Sequence, residues 1–127
     1  MQHRWTALLQ AAWAPLAVLC VSWVAAVGFD LYRRVQWFDI PMHFVGAVAL
    51  AYFFRAAGLR RRVCFALTLL GALAWEAGEY FSDAWLGTHL MHGTDDTLRD
   101  LLFSALGAAW FVTCHALLSE RRAGQPA

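Results

Sequence analysis

The chain has 127 residues, 61% of them hydrophobic, with mean hydropathy +0.49 and net charge +1. One soluble core of this length cannot hide so much apolar surface, so the composition asks for a lipid solvent. The near-zero charge gives no basic field for nucleic acid, and Cys20, Cys64 and Cys114 lack the pairing or C-x-x-C spacing of a disulfide framework or zinc knuckle; they read as small buried hydrophobes.

Four stretches approach the ~20 residues that a helix needs to cross a bilayer. The first runs from about Thr6 to Phe29, with Pro15 as a tolerated kink; it is too long for a signal-peptide core and no clean cleavage site follows, so it reads as a retained span. The second runs from about Phe38 to Ala57, with Pro41 in its first turn, where a missing N–H costs little. The third covers Val63 to Phe81 and the fourth Thr97 to Leu118. The short connections "GLRRR" and "SDAWLGTHLMHGTDD" leave no room for a second domain. The expectation is an all-α polytopic membrane protein, a bundle of four transmembrane helices over residues 1–120 with a short polar tail, 121–127. Gly46, Gly71, Gly78 and Gly107 are expected at close helix approaches.

All ten basic residues are Arg. With four spans, Arg4, Arg55, Arg60, Arg61, Arg62, Arg121 and Arg122 fall on one side, against Arg33, Arg34 and Arg99 on the other. The positive-inside rule then places both termini in the cytoplasm of a cell inner membrane, with Trp5, Trp37 and Trp85 at the interfaces.

The acids sort oppositely. Asp39 opens span two, Glu76 and Glu79 close span three, and Asp96 and Asp100 open span four, so alternating helix direction brings all five to the extracytoplasmic end. Asp39 and His43 are i, i+4; Glu76 and Glu79 are i, i+3; Asp96 and Asp100 are i, i+4, and each pair shares a helix face. So many carboxylates in a low dielectric must be protonated, paired with Arg, or bound to a cation. Arg99 cannot neutralise them all, and Arg33 or Arg34 would have to fold back to help. The metal-ligand candidates are therefore Asp39, His43, Glu76, Glu79, Asp96 and Asp100, with Mg, Mn, Fe or Zn as the divalent ion and no organic cofactor. No E-x-x-H, the usual di-iron signature, is present.

Taken singly, each acid has a plainer reading: Asp39 as an N-cap of span two, and Asp95 or Asp96 as an N-cap of span four. Glu76 resists it, lying more than a turn inside its span. For catalysis the candidates are Glu76, Arg99 to steady an anionic headgroup, and His92 as acid–base, with His89 three residues before it. His89 and His92 are also candidate metal ligands, and Asp30 and Asp83 candidates for the rim of the site, with solvated loop positions as the plainer reading of all four; His115 reads as a packing or interface residue.

The runs "FDIPMHFVGAVALAYFFR", "WEAGEYF" and "LGTHLMHGTDDTLRDLLFSALGA" together resemble the YjdF-like inner-membrane proteins, whose function is not established. The resemblance covers about Trp37 to Ala108. It implies a shared site built from Asp39, His43 and Gly46, from Glu76 and Glu79, from Leu86, Gly87 and Thr88, and from Asp96 and Asp100. Family members tend to be longer, with further spans before the acidic core, and carry G-D-x-W where this chain has His89 and His92. Three functions follow for the acids: a metal-dependent hydrolase or transferase acting on lipid or lipid-linked substrates, a cation-binding or transport protein, or a non-catalytic subunit pairing its acids with a partner's Arg. Homo-oligomer and membrane partner subunit both stay open.

Overall fold

A computed structural model of the chain describes residues 2–35, 37–91 and 93–123. His92 lies outside the described residues, as do Gln36, the end of the polar tail and the side chain of Arg33. Helix α1 (Gln2–Trp23) runs through Pro15 and continues into a π-helical turn, Val24–Gly28. After a single-turn helix α2 (Leu31–Arg34) come three long helices: α3 (Asp39–Ala56), α4 (Arg61–Leu86) and α5 (Thr94–Ala123). The described residues are thus all-helical, with four long helices and no strand. Length and composition qualify two of them, within Trp5–Trp23 and Thr94–Arg121, to cross a membrane. The other two carry charge inside: Asp39 and Arg55 in α3, and Glu76 and Glu79 in α4.

The helices run past the expected spans at several ends, furthest at the C-termini of α4 and α5. Helix α4 extends five residues beyond Phe81, taking Ser82–Leu86 from the expected loop, because nothing in "SDAWL" stops a helix. Gly87 stops it, with φ +66° and its N–H donating to the Asp83 carbonyl, a left-handed C-terminal cap. At the other end, α5 runs on through Arg121 and Arg122 into the expected tail.

Helix α3 is central. It packs most extensively on α5 and also against α1 and α4; α4 packs on α5, whereas α1 leans on α3 and has little contact with α4. The three inner faces repeat at i, i+4: Asp39, His43, Ala47 and Ala51 on α3; Cys64, Thr68, Ala72 and Glu76 on α4; Asp100, Ser104 and Ala108 on α5, all buried. The buried apolar residues are Ala and Cys, while large ones such as Leu9, Val45, Leu70, Leu73, Leu102 and Leu106 face outward. Small inner residues let helices approach closely, and here that approach is tightest at Gly107, where a Cβ would collide with the Phe44 carbonyl oxygen. Gly71 abuts only the flexible end of Leu50, Gly46 makes an ordinary contact with Val18, and a Cβ on Gly78 would meet nothing, so Gly78 is not the close approach expected of it. Cys64 is buried as expected, but Cys20 is exposed on α1.

Candidate functional site

The first turn of α3, the C-terminal half of α4 and the first turns of α5 meet at one end of the bundle. There Asp39, His43, Glu76, Glu79 and Asp100 are all buried, each less than 9% exposed, and Asp96 is half-buried. His43 reaches across from α3, its Nε2 lying 3.7 Å from Glu76 Oε1 on α4 and 3.8 Å from Asp100 Oδ2 on α5. Two three-residue groups result, His43–Glu76–Asp100 and Asp39–Asp96–Asp100, each offering three ligand atoms within 4.8 Å of one another. Asp100 belongs to both. Glu76 Oε1 and Asp100 Oδ1 are fully buried and lack a hydrogen-bond partner among the described residues, an arrangement that costs free energy unless a cation or proton meets these oxygens.

Asp39 is the first residue of α3, after Phe38 as N-cap, so it is not the cap expected of it; its Oδ1 accepts from the Ile40 N–H at 2.7 Å and its Oδ2 lies 3.6 Å from Arg99 Nη2. Asp95 and Asp96 sit in the first turn of α5, one and two residues past Thr94, and likewise are not caps. Arg99 also pairs with Asp96 one turn before it. It rims the cluster from a part-exposed position, engaged with two acids.

Glu79 stands apart from both groups. Its Oε1 accepts from Trp75 Nε1 at 2.8 Å, one turn earlier on the same helix. That turns the carboxyl toward an apolar cleft of about 570 Å³ between α1 and α4, whose wall also includes Trp23, Ala74, Gly78 and Leu90. His89 is exposed, with φ +58° in the loop after Gly87, outside both groups. His115 packs tilted against Phe111, ring centroids 6.0 Å apart, and shares a contact with the Ser119 hydroxyl, well along α5.

Sequence reasoning missed Asp83, which reads as a solvated loop residue but is the organiser of that loop. Its Oδ1 accepts from Thr88 Oγ1 and the Leu90 N–H, both at 2.7 Å, and its Oδ2 from the Met91 N–H at 2.8 Å. Ser82 is 2.9 Å from Thr88 and completes the set. The spacing of an acid five residues before a Thr, across a Gly helix stop, was the available signal. Desolvation of the carboxyl opposes ionisation, but the bonds from Leu90, Thr88 and Met91 outweigh it and hold Asp83 below the usual carboxylate range. A depressed folded pKa contributes stability that is present above the unfolded value of about 3.9 and is lost only as pH falls through the lower folded one. The Leu90 and Met91 amides should therefore stay protected from hydrogen exchange at pH 4. Asp83→Asn should speed their exchange roughly tenfold or more, as expected for losing bonds to a charged acceptor. Unchanged exchange in the variant would remove Asp83 from this role.

Residues 2–121 match the family described as predicted membrane protein (DUF2238). An uncharacterized protein of Thermotoga maritima is 27% identical over 90 residues, a match covering 61% of this chain and 47% of the relative. The chain thus spans about half the length of the curated relative it matches. No solved structure matches.

Proposed function

We propose a function on the premise that the chain belongs to the DUF2238 family of predicted membrane proteins, as the match over residues 2–121 shows. The protein lies in the bilayer with all four long helices spanning it, both termini in the cytoplasm and the acid cluster at the outer face of the cell inner membrane. Support for four spans comes from the inverted packing. Helices α3 and α4 bury Ala, Cys and polar residues and turn Val45, Tyr52, Leu70, Leu73 and Phe81 outward, which is costly in water and favourable in lipid.

The cluster is a divalent-metal site. The observation that carries this reading is the pair of buried oxygens without a hydrogen bond among the described residues, Glu76 Oε1 and Asp100 Oδ1, inside groups whose ligand atoms already converge. His43, Glu76 and Asp100 would hold one ion; Asp39, Asp96 and Asp100 would hold a second, with Asp100 shared between them. An oxygen-rich set with one imidazole suits Mg, Mn or Fe, with Zn also accommodated. A bound ion there would polarise a phosphoryl or acyl oxygen or activate water. Arg99 pairs with Asp39 and Asp96 at the rim, and His43 links α3 to α4 and α5.

The substrate class follows from the cleft between α1 and α4. Its apolar wall opens where α1 stands off α4, and Gly78 leaves open space along it. A hydrocarbon chain of a lipid or lipid-linked precursor fits that wall, with its polar head beside Glu79 and the cluster. The protein is then a metal-dependent hydrolase or transferase of the outer leaflet. Protein purified in detergent should carry one to two divalent ions per chain by elemental mass spectrometry, after loading with Mg, Mn, Fe or Zn in turn. A wild-type protein that binds none of the four would sink this reading and leave the acids to protons or to a partner's Arg.

A further inference from the structure

The interior below the acid cluster is not uniformly apolar. A second cavity, of about 170 Å³, lies among the four long helices, and each contributes one polar side chain to its wall: Ser22 from α1, His43 from α3, Thr68 from α4 and Ser104 from α5. Their exposures are 6%, 8%, 1% and 2%, so all four are buried, while the rest of the wall, including Val18, Leu19, Met42 and Leu50, is apolar. Thr68 Oγ1 has no hydrogen-bond partner among the described residues. A helical Thr hydroxyl commonly bonds back to the carbonyl one turn earlier. This one does not, and Cys64, one turn earlier, is itself fully buried.

A buried hydroxyl left unsatisfied costs about 1–3 kcal/mol, and a hydrocarbon filling would leave that cost in place. Water removes it where a cavity is polar enough to offer two to four partners and large enough to hold it. Four polar side chains converge on a space with room for about five waters at ~30 Å³ each. The position gives the cavity a role. His43 belongs to the group with Glu76 and Asp100 and also lines the cavity, so the two compartments meet at its ring. Thr68 precedes Glu76 by eight residues of α4, about 12 Å toward the Arg61 end.

We infer that this cavity is an aqueous chamber, entered past His43 from the acid cluster, that carries water and protons into the middle of the bundle. The inference stands apart from the identity of whatever cation the cluster holds, since it rests on the hydroxyls below it. It gives the cluster a water-filled reservoir on the side away from the outer surface.

Thiol accessibility tests this, because a cysteine reacts as its thiolate and needs water to ionise. Ser22→Cys and Ser104→Cys are near-isosteric and sit in the chamber wall; Leu106→Cys lies on the outward face of α5, two residues from Ser104 and 48% exposed in wild type. Each full-length variant would be reconstituted in phosphatidylethanolamine–phosphatidylglycerol vesicles and treated with 2-aminoethyl methanethiosulfonate, with every modified cysteine mapped by peptide mass spectrometry. Ser22→Cys and Ser104→Cys should react at least tenfold faster than Leu106→Cys, and adding Thr68→Val should slow both. Rates equal to that of Leu106→Cys would overturn the inference and mean that the cavity is dry or holds an acyl chain. Should Ser104→Cys fail to accumulate, Ser22→Cys on the peripheral helix α1 probes the same chamber by the same comparison of rates. Metal content measured on the same samples reports separately on the cluster, so a dry chamber and a metal-free cluster are distinguishable outcomes.

Discussion

Asp100→Asn is expected to abolish divalent-metal binding altogether, whereas Glu76→Gln and Asp39→Asn should each lose part of it. The reason is placement: Asp100 is the one residue common to the two three-residue groups, and it is 3% exposed. An amide keeps the shape but removes the charge and one of the two acceptor oxygens. Wild-type protein should gain thermal stability on metal addition, about 2.7 kcal/mol at a hundredfold excess over Kd, and Asp100→Asn should gain none. Without metal the order should reverse. Removing one carboxylate from a buried, crowded set relieves repulsion, so metal-free Asp100→Asn should unfold at a higher temperature than metal-free wild type. Equal metal content in wild type and Asp100→Asn would show that the ions sit elsewhere.

Gly107→Ala should destabilise the protein by about 2 kcal/mol, in the opposite direction from what helix propensity predicts. In an unconstrained helix interior, Gly to Ala is worth roughly 1 kcal/mol of stabilisation. At Gly107 the added methyl meets the Phe44 carbonyl oxygen, with the Ala47 methyl close behind it at 3.2 Å. Backbone cannot swing aside as a side chain can, so α3 and α5 must separate, and overpacking of that kind costs about 1–3 kcal/mol. Because His43 and Asp100 belong to these two helices, metal affinity should fall with stability. Gly78→Ala is the matched control, since its methyl enters open space and only the propensity gain remains. Thermal unfolding of both variants in detergent decides the matter; a stabilised Gly107→Ala would mean the helices are not held at this distance.

Composition and spacing by themselves determined the helical class, the approximate helix ends and the gathering of the acids at one end, while the family was legible only through the resemblance of three motif runs. Those properties follow from local quantities: hydropathy over ~20 residues, turn formers between segments, and alternating helix direction. The i, i+4 pairing of Asp39 with His43 needs only the pitch of a helix. What depended on helix rotation was not legible. Glu76 and Glu79 are three residues apart and look equivalent, yet Glu76 enters the His43–Asp100 group while Trp75 turns Glu79 toward the α1–α4 cleft. Gly107 and Gly78 look equally suited to a close approach, and only the neighbour's backbone separates them. Asp83 became a loop organiser only because Gly87 turns the chain back over it. Tertiary structure also placed Thr68 and Ser104, ordinary helix hydroxyls in the sequence, on one cavity wall with His43. The period of a helix can be read from a sequence, but which face a neighbour covers is fixed by side-chain packing among segments far apart in the chain.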